Sequence, residues 1–189
     1  MPLKNKIILL KEVDSTNDYA KRNFDKLENG SIISAEIQSK GRGQFDRIWF
    51  SSPLDIKISI IIKEDIDIKN IYDFSIIPAA AVMAFLNELN IKSKIKWPND
   101  IMVDDKKIAG ILVESFISDK LEGIIIGIGI NITDENKISL KDRIISLETL
   151  IKFIPEKLDL IIDFMKCFNY ILDNYLKNGM REIIEITKI

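Results

Sequence analysis

Two arginines sit in a short glycine-bearing stretch, Gly41-Arg42-Gly43-Gln44-Phe45-Asp46-Arg47-Ile48-Trp49. Glycines beside Arg42 let the backbone approach a ligand and turn its N–H groups inward. Arg42 and Arg47 add positive charge, and Trp49 offers an aromatic face. Such a loop suits an adenylate, with phosphate against N–H groups and guanidinium and adenine against indole. A solvated basic turn beside a core tryptophan would use the same residues, so one such loop is a weak signal.

Two further segments hold the other scarce residues. Lys96-Trp97-Pro98-Asn99-Asp100 runs on through the acidic turn Asp104-Asp105 to Lys107-Ile108-Ala109-Gly110-Ile111-Leu112. A lysine at the start of a strand, near a glycine that leaves room, can reach a carboxylate and a phosphate at once. An ordinary surface lysine beside Lys106 is the plainer reading. In Gly127-Ile128-Gly129-Ile130-Asn131, both glycines point to one face of one strand. Each weakens a strand by roughly 0.5–1 kcal/mol relative to alanine, so two on one face suggest that a ligand or another backbone lies flat there. Dense sheet packing is the alternative. The chain has only eight glycines and two tryptophans, and five of those glycines and both tryptophans fall in these three segments.

Composition narrows the chemistry. The chain has 189 residues, no histidine and a single cysteine, Cys167. Histidine triads, histidine-ligated zinc, disulfide frameworks and CxxC chemistry are excluded. The net charge of −2 argues against a dedicated nucleic-acid binder. The apolar run Ile7–Leu10 is quickly followed by Lys11, Glu12 and Asp14, too short for a signal peptide or a membrane span. A cytoplasmic protein is expected.

These residues need elements to hold them. Strands are expected at Ile7–Val13, Ser31–Gln38, Lys57–Ile62, Ile95–Trp97, Ile101–Val103, Lys107–Val113 and Gly123–Ile130. Ser15 with Asp18 resembles a capping box, starting an amphipathic helix over Tyr19–Leu27. Ser39–Arg47 reads as a loop. Tyr72–Leu89 contains a helix whose start is expected near Pro78. A last helix runs from about Glu156 to Leu176, with a stripe of Leu158, Ile161, Ile162, Met165, Phe168, Ile171, Leu172 and Tyr175 and with Gly179 as C-cap. Met180–Ile189 is left as a short tail. The expectation is one α+β domain over 1–189, with a mixed, largely antiparallel sheet and helices packed on one face.

Together the segments resemble the catalytic domain of biotin protein ligases. That family shows Ser-Thr-Asn after its first strand, then G-R-G-R-x-G-R-x-W, K-W-P-N-D, K-x-x-G-I-L-x-E and G-x-G-x-N. Here Ser15-Thr16-Asn17, 41–49, Lys96–Asp100, Lys107–Glu114 and Gly127–Asn131 follow in that order. The resemblance implies the class II synthetase-like fold of biotin and lipoate ligases. It implies an ATP-dependent ligase with biotin, ATP and Mg²⁺ as substrates and activating metal, and a biotin carboxyl carrier protein domain as partner. The metal ligands and the oligomeric state stay open, a homodimer included. Only about six residues precede Ile7, so no DNA-binding helix-turn-helix and no role in transcription are expected, and the small C-terminal barrel of many relatives has no counterpart.

The resemblance also implies roles. Ser15, Thr16, Asn17 and Gln38 would bond the ureido ring of biotin. Gly41, Arg42, Gly43 and Gln44 would close over biotin and the adenylate phosphate, and Gly110, Gly127 and Gly129 would lie against biotin. Lys107 would bind its carboxylate and the α-phosphate, with Lys107 and Arg42 as the catalytic pair. Arg47, Trp49, Asn99 and Asn131 would lie near the nucleotide. Two positions depart from the family pattern: Gln44 replaces a loop arginine, and Asp46 replaces a glycine and adds a negative charge, which Arg47 would neutralise. Two other readings stay open: a non-catalytic protein that holds biotin or its adenylate, and a lipoate or octanoate ligase.

Overall fold

A computed structural model describes residues 6–63, 71–117, 119, 121–135, 137, 140 and 142–187. The side chain of Asp46, and with it the expected pairing to Arg47, lies outside the described residues, as do the last two residues of the expected tail.

Seven strands form one sheet: β1 (Ile7–Val13), β2 (Ile32–Gln38), β3 (Ile56–Ile62), β4 (Lys94–Lys96), β5 (Asp100–Val103), β6 (Lys106–Ile117) and β7 (Leu121–Ile130). The order is β1-β2-β3-β7-β6-β5-β4. Only β1 and β2 run parallel; the other neighbours are antiparallel. The expected mixed, largely antiparallel sheet is what forms. β5 and β6 are joined at Asp104 and Asp105, both left-handed at φ 47° and 61°, the geometry of a two-residue hairpin turn that matches strand twist. β6 runs four residues past the expected end at Val113.

The helices are α1 (Thr16–Arg22), α2 (Asp73–Glu88), α3 (Leu147–Leu150), α4 (Lys157–Asn178) and α5 (Met180–Thr187). β3 is buried along its whole length, because helices cover both its faces. On one face Ile56, Ile58, Ile60 and Ile62 join α2, α4 and α5 in the main core. On the other, Ile61, Ile33 and Ile125 pack against Ala20 and Phe24 of the α1 segment. The larger helices therefore share one face as expected, and α1 stands on the opposite one, where the scarce residues gather. Among the described residues no helix is long and apolar enough to cross a membrane.

Four helical expectations need correction. In place of a helix over Tyr19–Leu27, α1 starts at Thr16 directly after its Ser15 cap and ends at Arg22, with only a 3-10 turn at Phe24–Lys26 beyond it. α2 starts at Asp73, not near Pro78, which sits inside it. An interior proline removes one backbone donor and disfavours the helix around it, but buried Phe74 and Ile77 draw the preceding turn into the core. In α4 the buried stripe is Leu160, Ile161, Phe164, Met165, Phe168, Ile171 and Leu172. Leu158 and Ile162 face outward, at 44% and 39% exposed. Finally, the expected tail is α5: Gly179, left-handed at φ 74°, turns the chain, and Ile183 is fully buried against α2 and α4.

Candidate functional site

The register of the sheet builds the floor of a cleft. Lys57 of β3 pairs with Gly129 of β7, Gly129 with Gly110 of β6, and Gly110 with Asp100 of β5. The next row is Ser59, Gly127 and Leu112. Trp49 lies on Gly129 and Gly110, and Asn17 lies on Gly127, each so close that a Cβ at the glycine would collide with it. The paired glycines thus make room for two side chains of the site. The expectation was a ligand or another backbone lying flat there; in the structure the Trp49 and Asn17 side chains lie over the glycines, which also line the cleft.

The cleft itself is narrow, with a cavity volume of about 40 Å³. Of the residues singled out in the sequence, it gathers Ser15, Thr16, Asn17, Gln38, Arg42, Gly43, Trp49, Asn99, Lys107, Gly110, Gly127 and Gly129. Gly41, Gln44, Arg47 and Asn131 do not line it. Gly41 supports the loop from behind, where a side chain would strike the Trp49 carbonyl. Arg47 is exposed. Asn131 is 2% exposed, with its amide turned into the protein.

At one end of the cleft a chain of polar groups runs across four elements. Gln38 Oε1 accepts from Thr16 N at 2.8 Å and from Thr16 Oγ1 at 3.0 Å. Ser59 Oγ lies 2.8 Å from Thr16 Oγ1 and 2.5 Å from Asn17 Oδ1. Asn17 Nδ2 donates to Glu114 Oε2 at 2.7 Å. Ser15, Thr16, Asn17 and Ser59 are all buried, so these bonds hold the groups in fixed orientations. Ser15 caps α1 by accepting from Asp18 N. The Asp18 carboxylate does not complete a capping box; it turns to Arg42.

Both cations of the cleft are held by carboxylates. Arg42 Nη2 lies 2.5 Å from Asp18 Oδ1 and 3.6 Å from Glu114 Oε1. Lys107 Nζ lies 2.6 Å from Asp100 Oδ1 and 5.2 Å from the centre of a Trp49 ring. Burial alone would raise the Glu114 pKa, but the hydrogen bonds from Lys21 and Asn17 outweigh it and the group stays below the usual carboxylate range. The Trp49 indole N–H is buried against Gly129 of the floor and has no hydrogen-bond partner among the described residues. Asn99 is fixed by donating to the Ile111 carbonyl at 3.2 Å.

Sequence reasoning missed several members. Ser59 and Lys57 were visible only as polar residues in an apolar strand. Lys57 borders the cleft, yet its ammonium turns away to the carbonyls of Glu36, at 2.8 Å, and Ser52. Lys157 of α4 donates to the carbonyls of Ala35 and Pro53, both at 3.0 Å. Burial pushes Lys57 down to about 7, and the nearby Lys157 charge adds to the shift. Glu114 ends a motif that was read without giving it a role. Nothing in local sequence marks Asp18 or Asp100 as counter-ions.

The larger helices on one face of a mixed sheet, with the site and the short α1 on the other, make the class II synthetase-like architecture of solved biotin protein ligases. The biotin protein ligase from Aquifex aeolicus in complex with biotin and ATP superposes with a TM-score of 0.86 at 28% identity, covering 98% of this chain and 77% of that one. The Leishmania major enzyme in complex with biotinyl-5-AMP shares the fold, with a TM-score of 0.79 at 23% identity over 97% of this chain and 80% of that one. Residues 9–131 match the biotin/lipoate A/B protein ligase family, and the chain belongs to it. The bifunctional ligase/repressor BirA of Bacillus subtilis is 32% identical over 161 residues, which are 82% of this chain and 49% of that protein. Biotin–protein ligase 2 of Arabidopsis thaliana is 25% identical over 180 residues, 92% of this chain and 55% of that protein. The chain spans about half the length of these curated relatives.

Proposed function

We propose that this chain is the catalytic domain of a biotin protein ligase. In the first step the biotin carboxylate attacks the α-phosphorus of ATP, forming biotinyl-adenylate and releasing pyrophosphate. In the second, a lysine amine of a biotin carrier domain attacks the acyl carbonyl, AMP leaves, and the amine gives up a proton. The observation that carries this reading is the polar chain from Gln38 through Thr16, Ser59 and Asn17 to Glu114, next to Lys107 and Arg42. A ureido head has donors and a carbonyl to engage such a chain; a lipoyl or octanoyl tail has none. A protein that only stored biotin would have no need of a second cation at the far end.

In this reading Ser15, Thr16, Asn17 and Gln38 bind the ureido ring. Lys107 leaves Asp100 for the biotin carboxylate and the α-phosphate, and Arg42 and the Gly43 backbone offset the phosphate charge. The Trp49 ring and the fixed Asn99 amide, both lining the cleft, lie beside the nucleotide. Two anions must meet in the first step, so cations and preoriented donors carry it. The anhydride is already activated, and positioning suffices for the second step. Mg²⁺ would supply further charge neutralisation on the triphosphate; among the described residues no group of three or more carboxylate or thiol side chains gathers to hold a metal.

Pyrophosphate exchange into ATP tests the first step. Exchange driven by biotin, and not by lipoate or octanoate, is expected. Exchange driven only by lipoate or octanoate would transfer the chain to the other branch of its family. Tight biotin binding without exchange would make it a binding protein.

A further inference from the structure

Among the described residues one ion pair has both partners buried: Lys137 Nζ lies 2.6 Å from Asp55 Oδ2, with side chains 2% and 0% exposed. Desolvating two charges offsets most of their attraction, so such a pair is weak evidence of a purely stabilising role. This pair is completed on every side. Asp55 also accepts from the backbone N–H groups of Ser52 at 2.7 Å, Ile132 at 2.8 Å and Thr133 at 3.3 Å. The three protons of the Lys137 ammonium meet Asp55, the Thr133 carbonyl at 2.8 Å and Asn131 Oδ1 at 3.0 Å.

The last contact points toward the cleft. An ammonium only donates, so it fixes which end of the Asn131 amide faces it. The other end, Nδ2, donates to the backbone carbonyl of Lys107 at 3.1 Å. That carbonyl also accepts from Ile145 N at 3.0 Å, while Lys107 N donates to Arg143 O at 2.9 Å. A continuous line of hydrogen bonds therefore runs from Asp55 through Lys137 and Asn131 to the main chain of Lys107. At that residue a side chain enters the cleft. Asn131 is buried away from the cleft, so this link is the use its amide has.

We infer that Lys137 is a positioning residue for Lys107: held by Asp55, it orients Asn131, which fixes the main chain from which the Lys107 ammonium reaches into the cleft. The inference rests on the proposed role of Lys107 at the adenylate. Its signature is dependence on Lys107 itself. A group that acts through Lys107 has nothing left to act through once that side chain is gone, and coupled residues lose additivity.

The test is a double-mutant cycle on biotin-dependent pyrophosphate exchange, with Lys137→Met and Asn131→Ala each made in the wild-type and Lys107→Ala backgrounds. Asn131→Ala breaks the line while leaving the buried ion pair intact, so it carries the test if Lys137→Met does not fold. In the wild-type background each folded variant is expected to lower kcat by about tenfold, within the range for a slightly misplaced catalytic group. The KM for biotin should stay within about twofold, because the ureido contacts lie elsewhere. In the Lys107→Ala background the further loss should be under about twofold. Equal fold-losses in both backgrounds would overturn the inference and show an independent or general structural role. Wild-type rates in both single variants would overturn it too. Absence of biotin-driven exchange in the wild type would instead defeat the proposed function on which it rests.

Discussion

Replacing Lys107 with alanine removes one of two cleft cations and leaves Asp100, 2.6 Å away, without its ion-pair partner. The two effects differ in size. The Lys107 and Asp100 side chains are 26% and 24% exposed, so water and salt screen the pair, and its loss costs about 1 kcal/mol of stability or less. In a chain of this length that is a fall of about 2–4 °C in Tm. The catalytic loss is larger. Once the substrates fill the cleft and displace its water, an ammonium aimed at charge that develops between carboxylate and phosphate is screened far less, and removing such a contact costs about 3 kcal/mol, or a hundredfold in rate. Biotin-dependent pyrophosphate exchange by Lys107→Ala should therefore fall about a hundredfold in a protein that melts nearly as the wild type does. Exchange within about threefold of wild type, with the fold intact, would refute the assignment of Lys107 to the reacting groups.

Thr16→Val keeps shape but removes the hydroxyl between Gln38 and Ser59; biotin binding should weaken by roughly 1–3 kcal/mol and ATP binding should not, as calorimetry with each ligand would show. Gln44 stands where the resemblance expects an arginine, though it does not line the cleft. If the loop brings it to the adenylate, its neutral amide holds the intermediate less firmly than an arginine would; the wild type should then release it about tenfold faster than Gln44→Arg and label albumin as a bystander on a streptavidin blot, and equal release by the two proteins would show that Gln44 does not reach it. Lys57 gives a pH prediction. Its folded-state pKa is held near 7, below the ordinary 10.5, so above pH 7 the unfolded chain keeps a proton that the folded chain has released. The state that binds more protons loses ground as pH rises; the Lys57 contribution should therefore make the wild type gain stability relative to Lys57→Met from pH 7 to 10 in urea melts.

The strands were legible because alternation and β-branched runs encode them directly, and the helix caps at Ser15 and Gly179 stood out for the same local reason. Pro78 misled because a core that buries Phe74 and Ile77 overrides a local breaker. The tail misled because α5 is made a helix by burying Ile183 against elements far away in sequence. In α4 the apolar residues are more than one stripe can hold, and packing against α2 puts Phe164 inside while Ile162 stays outward. The site followed the same division. Gly41, Gln44, Arg47 and Asn131 do not line the cleft, but most residues of the motifs do, because the sheet brings their strands and loops together. Their partners did not show: Asp18 and Asp100 as counter-ions, Ser59 as the bridge between Thr16 and Asn17, and the pair of Asp55 with Lys137. Each joins segments distant in sequence, and no local pattern records such a contact. Asn131 shows the limit most clearly: its motif position suggested a nucleotide contact, and nothing local records the buried bonds of its amide to Lys107 and Lys137.

The central claim is that this cleft activates biotin and delivers it to a lysine. The most direct measurement is intact mass spectrometry of a biotin carrier domain after incubation with this protein, biotin and Mg-ATP. A gain of one biotinyl group is predicted, dependent on ATP and lost when the acceptor lysine of the carrier is replaced by arginine. An unchanged carrier mass, under conditions in which another biotin ligase modifies the same carrier fully, would contradict it.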